Sequence, residues 1–234
     1  MSVRIDTLPQ ITRPGVGAVL ASTWRVGTPE RQRAAVDAIR ETWESRPWPT
    51  DDLLSYSVYT GTDGDTLLHY SQWRDVAAYD TFVRNHRDER NAEIDAAVPG
   101  IQRVALDKYE LYRSGALDGE ARTPGAIVIV DVEFEGPDPQ RQRAWVDAVF
   151  EALASDKPHP GGISGHFHTS LDGTRVLNYA EWESEQAHIE ALAAPGDGIG
   201  SPTPEWHQVQ NFPGLTRGGG VKRYLPAISL SAAE

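Results

Sequence analysis

Asn178 and Trp182 stand four residues apart in the run Val176-Leu177-Asn178-Tyr179-Ala180-Glu181-Trp182. The apolar–polar alternation there predicts a strand, and alternation puts Val176, Asn178, Ala180 and Trp182 on one face. A carboxamide and an indole N–H at neighbouring same-face positions can both donate to an oxygen that gains negative charge. His166 and His168 share a face of the preceding predicted strand, and His188 follows Trp182 by six residues. A neutral imidazole is the usual base for removing a proton near neutral pH. The plainer alternative stays open on spacing alone: Asn178 bonding nearby backbone, Trp182 filling the core and the histidines satisfied structurally.

Composition narrows the remaining chemistry. The chain has no cysteine, so disulfides, thiolate metal sites, iron–sulfur clusters and a cysteine nucleophile are all excluded. Only Lys108, Lys157 and Lys222 are lysine, which leaves few candidates for a Schiff base. With 34 acidic and 22 basic side chains the formal charge is −12, which repels a phosphate backbone, so nucleic acid is not expected as a partner. No apolar run reaches the roughly 18 residues of a membrane span, and no apolar block follows the basic residues of the start, so the expected location is the cytoplasm. At 39% hydrophobic and 24% charged, the 234 residues have the composition of a packed globular protein of one or two domains.

An internal repeat supplies the elements that must position these groups. Residues 29–45 lie over residues 139–155 at an offset of 110 with ten of 17 identities, and Tyr70-Ser71-Gln72-Trp73 lies over Tyr179-Ala180-Glu181-Trp182 at an offset of 109. The expected domains are therefore a first repeat over 1–113, a polar linker over 114–123 and a second repeat over 124–234. Within the second repeat, residues 126–134 alternate as a half-buried strand. Pro139 then suits a first helical turn, and Val146, Val149, Phe150 and Leu153 mark one helix face. Alternating segments at 163–170 and 174–182 flank Asp172-Gly173 as a hairpin, matched by 53–60 and 65–73 in the first repeat. A second helix starts at the caps Asp75 and Ser184. Pro99-Gly100 and Pro213-Gly214 precede last strands over 101–112 and 215–225.

This β-α-β-β-α-β order is the ferredoxin-like unit, with two helices on one face of a four-stranded antiparallel sheet. The fold class is α+β. Two tandem units most simply bury their open faces by pairing as a pseudo-dimeric α/β barrel. The second repeat also carries a Gly- and Pro-rich insertion over 195–210 that reads as a loop suited to be a lid.

Hairpin register decides which groups meet. A two-residue Asp172-Gly173 turn pairs His168 with Leu177, whereas a loop one residue longer pairs it with Asn178 and puts both on one face. In the first repeat Thr60 stands at the place of His168, His69 at that of Asn178, Trp73 at that of Trp182 and Tyr79 at that of His188.

The run from Val176 to Ala187, with His168 and Ser170-Leu171-Asp172-Gly173-Thr174 before it, resembles the antibiotic biosynthesis monooxygenase family, strongly over 163–190 and more loosely over 16–113. The resemblance implies paired ferredoxin-like units forming an α/β barrel. It also implies oxidation of a phenolic or anthrone-type polycyclic aromatic to a quinone, with molecular oxygen as co-substrate and no metal, haem or flavin. By position it assigns Asn178 and Trp182 to the substrate pocket as hydrogen-bond donors and His168 to the same region; with His188 or His168 as the expected base, His168, Asn178, Trp182 and His188 are the expected catalytic residues and Trp206, His69, Trp73 and Tyr79 the expected substrate contacts. The family has a tyrosine at His188, and its arginine position falls on Trp206. Haem-degrading relatives carry a ligating histidine where this chain has Val83 and Leu192. A metal at His159, His166 and His168 has no evident third ligand on the strand. The non-enzymatic alternative is an accessory barrel that holds an aromatic ligand without turning it over. By this reading the active pocket lies in the second half, and the first half serves stability. Further association of the fused pair stays open.

Overall fold

The computed structural model describes residues 3–116, 120–194 and 199–233. In chain order the elements are β1 (Val3–Ile5), β2 (Ala18–Arg25), α1 (Pro29–Glu44), β3 (Leu53–Gly61), β4 (Thr66–Trp73), α2 (Val76–Phe82), a π-helical turn (Val83–Arg87) and α3 (Asp88–Ala97). They continue with β5 (Gln102–Ala116), β6 (Ala126–Phe134), α4 (Pro139–Ser155), β7 (Gly162–Ser170), β8 (Arg175–Trp182), α5 (Glu185–Ala193), α6 (Pro204–Gln210) and β9 (Leu215–Ala232). The β-α-β-β-α-β order is present twice.

The chain divides into two compact units, Met1–Tyr109 with Tyr224–Glu234, and Glu110–Arg223. In the first, the strands lie in the order β1-β9-β3-β4-β2-β5, with α1, α2 and α3 packed on the face that carries Leu20, Trp24, Val58, Leu67 and Trp73. In the second the order is β5-β7-β8-β6-β9, and α4 covers Val132, Phe134, Phe167 and Val176.

These units are not cut where the sequence repeat is cut. The last strand, expected over 215–225, runs on to Ala232, and its end pairs with β3 through Val58↔Ile228 and Tyr56↔Leu230. At 18 residues it is twice as long as β3 or β7, and it pairs with β1 and β3 in the first unit and with β6 in the second. The strand expected over 101–112 likewise extends to Ala116, into the stretch read as a linker, whose residues 117–119 lie outside the described residues.

Local chemistry explains the element ends. Thr28, Asp75, Asp138 and Ser184 each cap a helix by accepting a backbone N–H, with Pro29 and Pro139 in the first turns. Gly100 and Gly214 adopt positive φ (84° and 77°) where the chain leaves α3 and α6 for a strand. Strand β6 departs from the expected half-buried alternation at its start, where Ile127 and Ile129 are buried along with Val128, and keeps it toward its end, where Asp131 and Glu133 are only partly buried beside buried Val132 and Phe134. Part of the segment read as a lid is helix α6, capped by Thr203, while residues 195–198 lie outside the described residues.

Candidate active site

In the first unit β3 and β4 pair in the register Tyr56↔Ser71 and Val58↔His69, so Tyr56, His69, Ser71 and Trp73 share the face under the helices. They line a cavity of about 320 Å³, within the size range of small-molecule sites. Its walls are Leu20, Trp24, Trp43, Tyr79, Phe82 and Ile94, with Arg87, Arg90, Asn91 and Arg103 at its polar parts. Helix α2 supplies Tyr79 and Phe82. The π-helical turn and α3 then bring Arg87, Arg90 and Asn91 to the same cavity, in keeping with the frequent use of such bulges at functional sites.

An aromatic ladder forms one side. Trp24 lies 4.0 Å from the His69 ring, Tyr56 bonds His69, and Trp43 stacks on Tyr56 at 4.2 Å. Arg103 sits over Trp24 at 4.5 Å and Arg90 over Trp43 at 4.9 Å, so a guanidinium closes each end. Trp73, edge-on to Tyr79 at 5.4 Å, donates its indole N–H to Ser71 Oγ at 2.9 Å.

His69 is 6% exposed. Its Nδ1 lies 2.8 Å from Tyr56 Oη, and its Nε2 is buried with no hydrogen-bond partner. Burial, then the positive charge of Arg103, pulls its pKa down to about 3, so the ring is neutral near pH 7. A tyrosine hydroxyl can donate or accept. The His69 ring can therefore present either an N–H or a lone pair at Nε2.

In the second unit Asn178 pairs opposite Phe167, and His168 opposite Leu177. This is the register of the tight turn, which Asp172 holds by accepting from the Thr174 N–H and hydroxyl. His168 therefore lies on the opposite face from Asn178 and Trp182, fully buried, with Nδ1 3.4 Å from the Leu177 carbonyl oxygen. It does not join them in one pocket. The same registers match His168 to Tyr59 and Thr169 to Thr60, correcting the alignment of Thr60 with His168.

Asn178 and Trp182 do share the helix-side face, and the buried Asn178 Oδ1 has no partner. His188 stands edge-on to Trp182 at 4.8 Å, and His159 lies 5.8 Å from the same indole. The Arg223 Nε donates to His188 Nδ1 at 3.0 Å. Because arginine can only donate, the His188 lone pair is already engaged there, and the neutral ring offers the pocket an N–H rather than a base. Burial and the charge of Arg223 lower its pKa to about 4.

Trp206 packs with Trp145 and Val209 under α4 and donates its indole N–H to Asp156 Oδ2 at 2.5 Å, so its polar edge is used inside the core. His166 bonds Ser164 and Ser114. With His159 against Trp182, the three histidines weighed as a metal site do not converge, and no group of three or more potential ligands gathers among the described residues. Sequence reasoning missed Tyr56, Arg90 and Arg103. The signal for Tyr56 was its place on the strand facing His69, while Arg90 sits in a helix of little apolar periodicity.

This second-unit arrangement, a strand carrying Asn178 and Trp182 followed by a Ser184-capped helix carrying His188, matches a described family. Residues 127–196 match the family model for antibiotic biosynthesis monooxygenases. The chain is 38% identical over 73 residues to the tetracenomycin-F1 monooxygenase of Streptomyces glaucescens, a stretch that covers 31% of this chain and 64% of that protein. An anthrone oxidase-like protein has the same fold, with a TM-score of 0.70 and 19% identity over 93% of this chain and 94% of that one. So does a chlorite dismutase variant from Candidatus Nitrospira defluvii, at TM-score 0.54 and 13% identity over 93% and 94%. The same fold thus carries differently named activities, and the chemistry must be argued from the site. Among the described residues no helix is long and apolar enough to cross a membrane.

Proposed function

We propose that the chain is a cofactor-independent monooxygenase that oxidises a phenolic or anthrone-type polycyclic aromatic to a quinone with molecular oxygen, and that the reacting ring occupies the cavity of the first unit. What carries this reading is His69: a buried neutral imidazole whose free nitrogen belongs to an aromatic-walled cavity and whose other nitrogen bonds a hydroxyl able to switch roles. With Nδ1–H donating to Tyr56, the Nε2 lone pair removes the substrate proton. The imidazolium then stays beside the enolate it has produced, and that negative charge offsets the cost of a buried cation.

An electron-rich enolate can reduce oxygen itself, so the protein need supply only a base, an oxyanion site and a dry cavity. The ring methylene becomes a carbonyl, with one oxygen atom of O₂ retained there and the other leaving as water. Trp24, Trp43, Trp73, Tyr79 and Phe82 supply the walls for a planar ring system. Oxygen uptake with a generic anthrone in metal-free buffer, with the product identified by mass, tests the assignment. Binding without uptake would convert the reading to an accessory barrel that holds an aromatic ligand.

A second reading places the reaction in the other unit, on Asn178, Trp182 and His188. The unpartnered Asn178 Oδ1 and the family match to residues 127–196 favour it. The engaged lone pair of His188 disfavours it. Comparing His69→Ala with His188→Ala separates the two, since only the unit that carries the base should lose turnover.

A further inference from the structure

Among the described residues three arginines and no carboxylate line the first-unit cavity, in a chain whose acidic residues outnumber its basic ones by 34 to 22. The three are not alike. Arg103 pairs with Asp95 at 3.0 Å and Arg87 with Asp88 at 3.4 Å. Arg90, only 5% exposed, forms no ion pair among the described residues. It donates from Nη1 to the His86 carbonyl oxygen at 3.3 Å and lies over the Trp43 and Phe82 rings at 4.9 and 5.8 Å, while its buried Nε has no partner. Glu89 and Glu93, whose charges it feels, are both held by Arg46. A buried guanidinium without a counter-charge is costly, and its planar fork is shaped for a carboxylate.

We infer that the first-unit cavity takes a planar aromatic carboxylate, with the carboxylate on Arg90 and the reacting hydroxyl or methylene ring toward His69. The ladder from Arg90 through Trp43 and Tyr56 to His69 runs along the cavity wall, so the permanent anion and the proton-transfer site sit at separate points and one orientation of the substrate is selected. This assignment rests on the cavity being the ligand site. It does not depend on the oxygen step.

The test is a binding comparison on the full chain, read by quenching of tryptophan fluorescence, with 6-hydroxy-2-naphthoate, its methyl ester and 2-naphthol as probes. The carboxylate is expected to bind at least about tenfold more tightly than the ester or the naphthol, and Arg90→Gln is expected to remove that preference. Arg90→Lys, which keeps the charge and loses the fork, is expected to retain part of the preference. A circular-dichroism melt of each variant confirms that it is folded. Equal binding of acid and ester, no binding of any probe, or a preference that survives Arg90→Gln would overturn the inference. Selective naphthoate binding together with no oxygen uptake on the anthrone would overturn the monooxygenase reading and leave this one standing.

Discussion

Tyr56 Oη lies 2.8 Å from His69 Nδ1, and the far nitrogen of the same ring is buried without a partner beside the aromatic cavity. In the proposed reaction the hydroxyl orients the ring, and the free nitrogen takes the substrate proton. His69→Ala is expected to lower kcat for anthrone oxidation by about 10²-fold or more, the lower end of what a positioned base contributes. Tyr56→Phe keeps the stacking on Trp43 and removes only the orienting bond, so a fall of about tenfold, close to 1.4 kcal/mol, is expected in kcat with KM little changed. Steady-state oxygen uptake for both variants checks the pair, and an unimpaired His69→Ala enzyme would remove His69 from the mechanism.

Burial holds His69 and His168 neutral, with pKa values pulled down to about 3, and His188 to about 4. In the unfolded chain each titrates near 6.5, so as pH falls below that value the unfolded state binds protons first. Stability is therefore present in full above about pH 6.5 and declines toward pH 3–4, by up to about 1.4 kcal/mol per pH unit for each fully buried histidine. Urea midpoints measured from pH 7.5 to 4.5 should show this slope above the carboxylate range. Replacing His69 and His168 by Gln should flatten it.

His168 sits on the opposite face of β7 from the one that meets Asn178. His168→Leu should leave turnover within about twofold while shifting the thermal midpoint, because it alters a fully buried position without touching either pocket. A loss of activity at unchanged stability would place His168 back in the site.

Trp206→Phe removes the indole N–H held by Asp156 and keeps most of the apolar area. A loss of about 1.5–3 kcal/mol in stability is expected, the range for a hydrogen bond to a charged acceptor, with unaltered kcat. Paired denaturation and oxygen-uptake measurements separate that outcome from a role in substrate contact.

The repeat carried most of the architecture in readable form. Ten identities between residues 29–45 and 139–155, the Asp-Gly turns and the caps Asp75 and Ser184 are local signals, and each of these elements formed where its pattern lies. The extensions of β5 and β9 were not legible, because nothing local marks how far an alternating strand continues once it finds a partner beyond its own repeat. Helix α6 was hidden in a Pro-rich segment, although Thr203-Pro204 is a helix start.

The sequence by itself determined that there are two ferredoxin-like copies, that Asn178 with Trp182 and His69 with Trp73 share strand faces, and that cysteine chemistry is absent. Those conclusions follow from period-two alternation and composition, which act within a few residues. Only the tertiary structure decided that His168 points away from Asn178, that Arg223 occupies the His188 lone pair, and that Tyr56, His69 and Arg90 face one cavity in the first unit. Register, hydrogen-bond direction and burial depend on partners 13 to 35 residues away along the chain. No single segment encodes them.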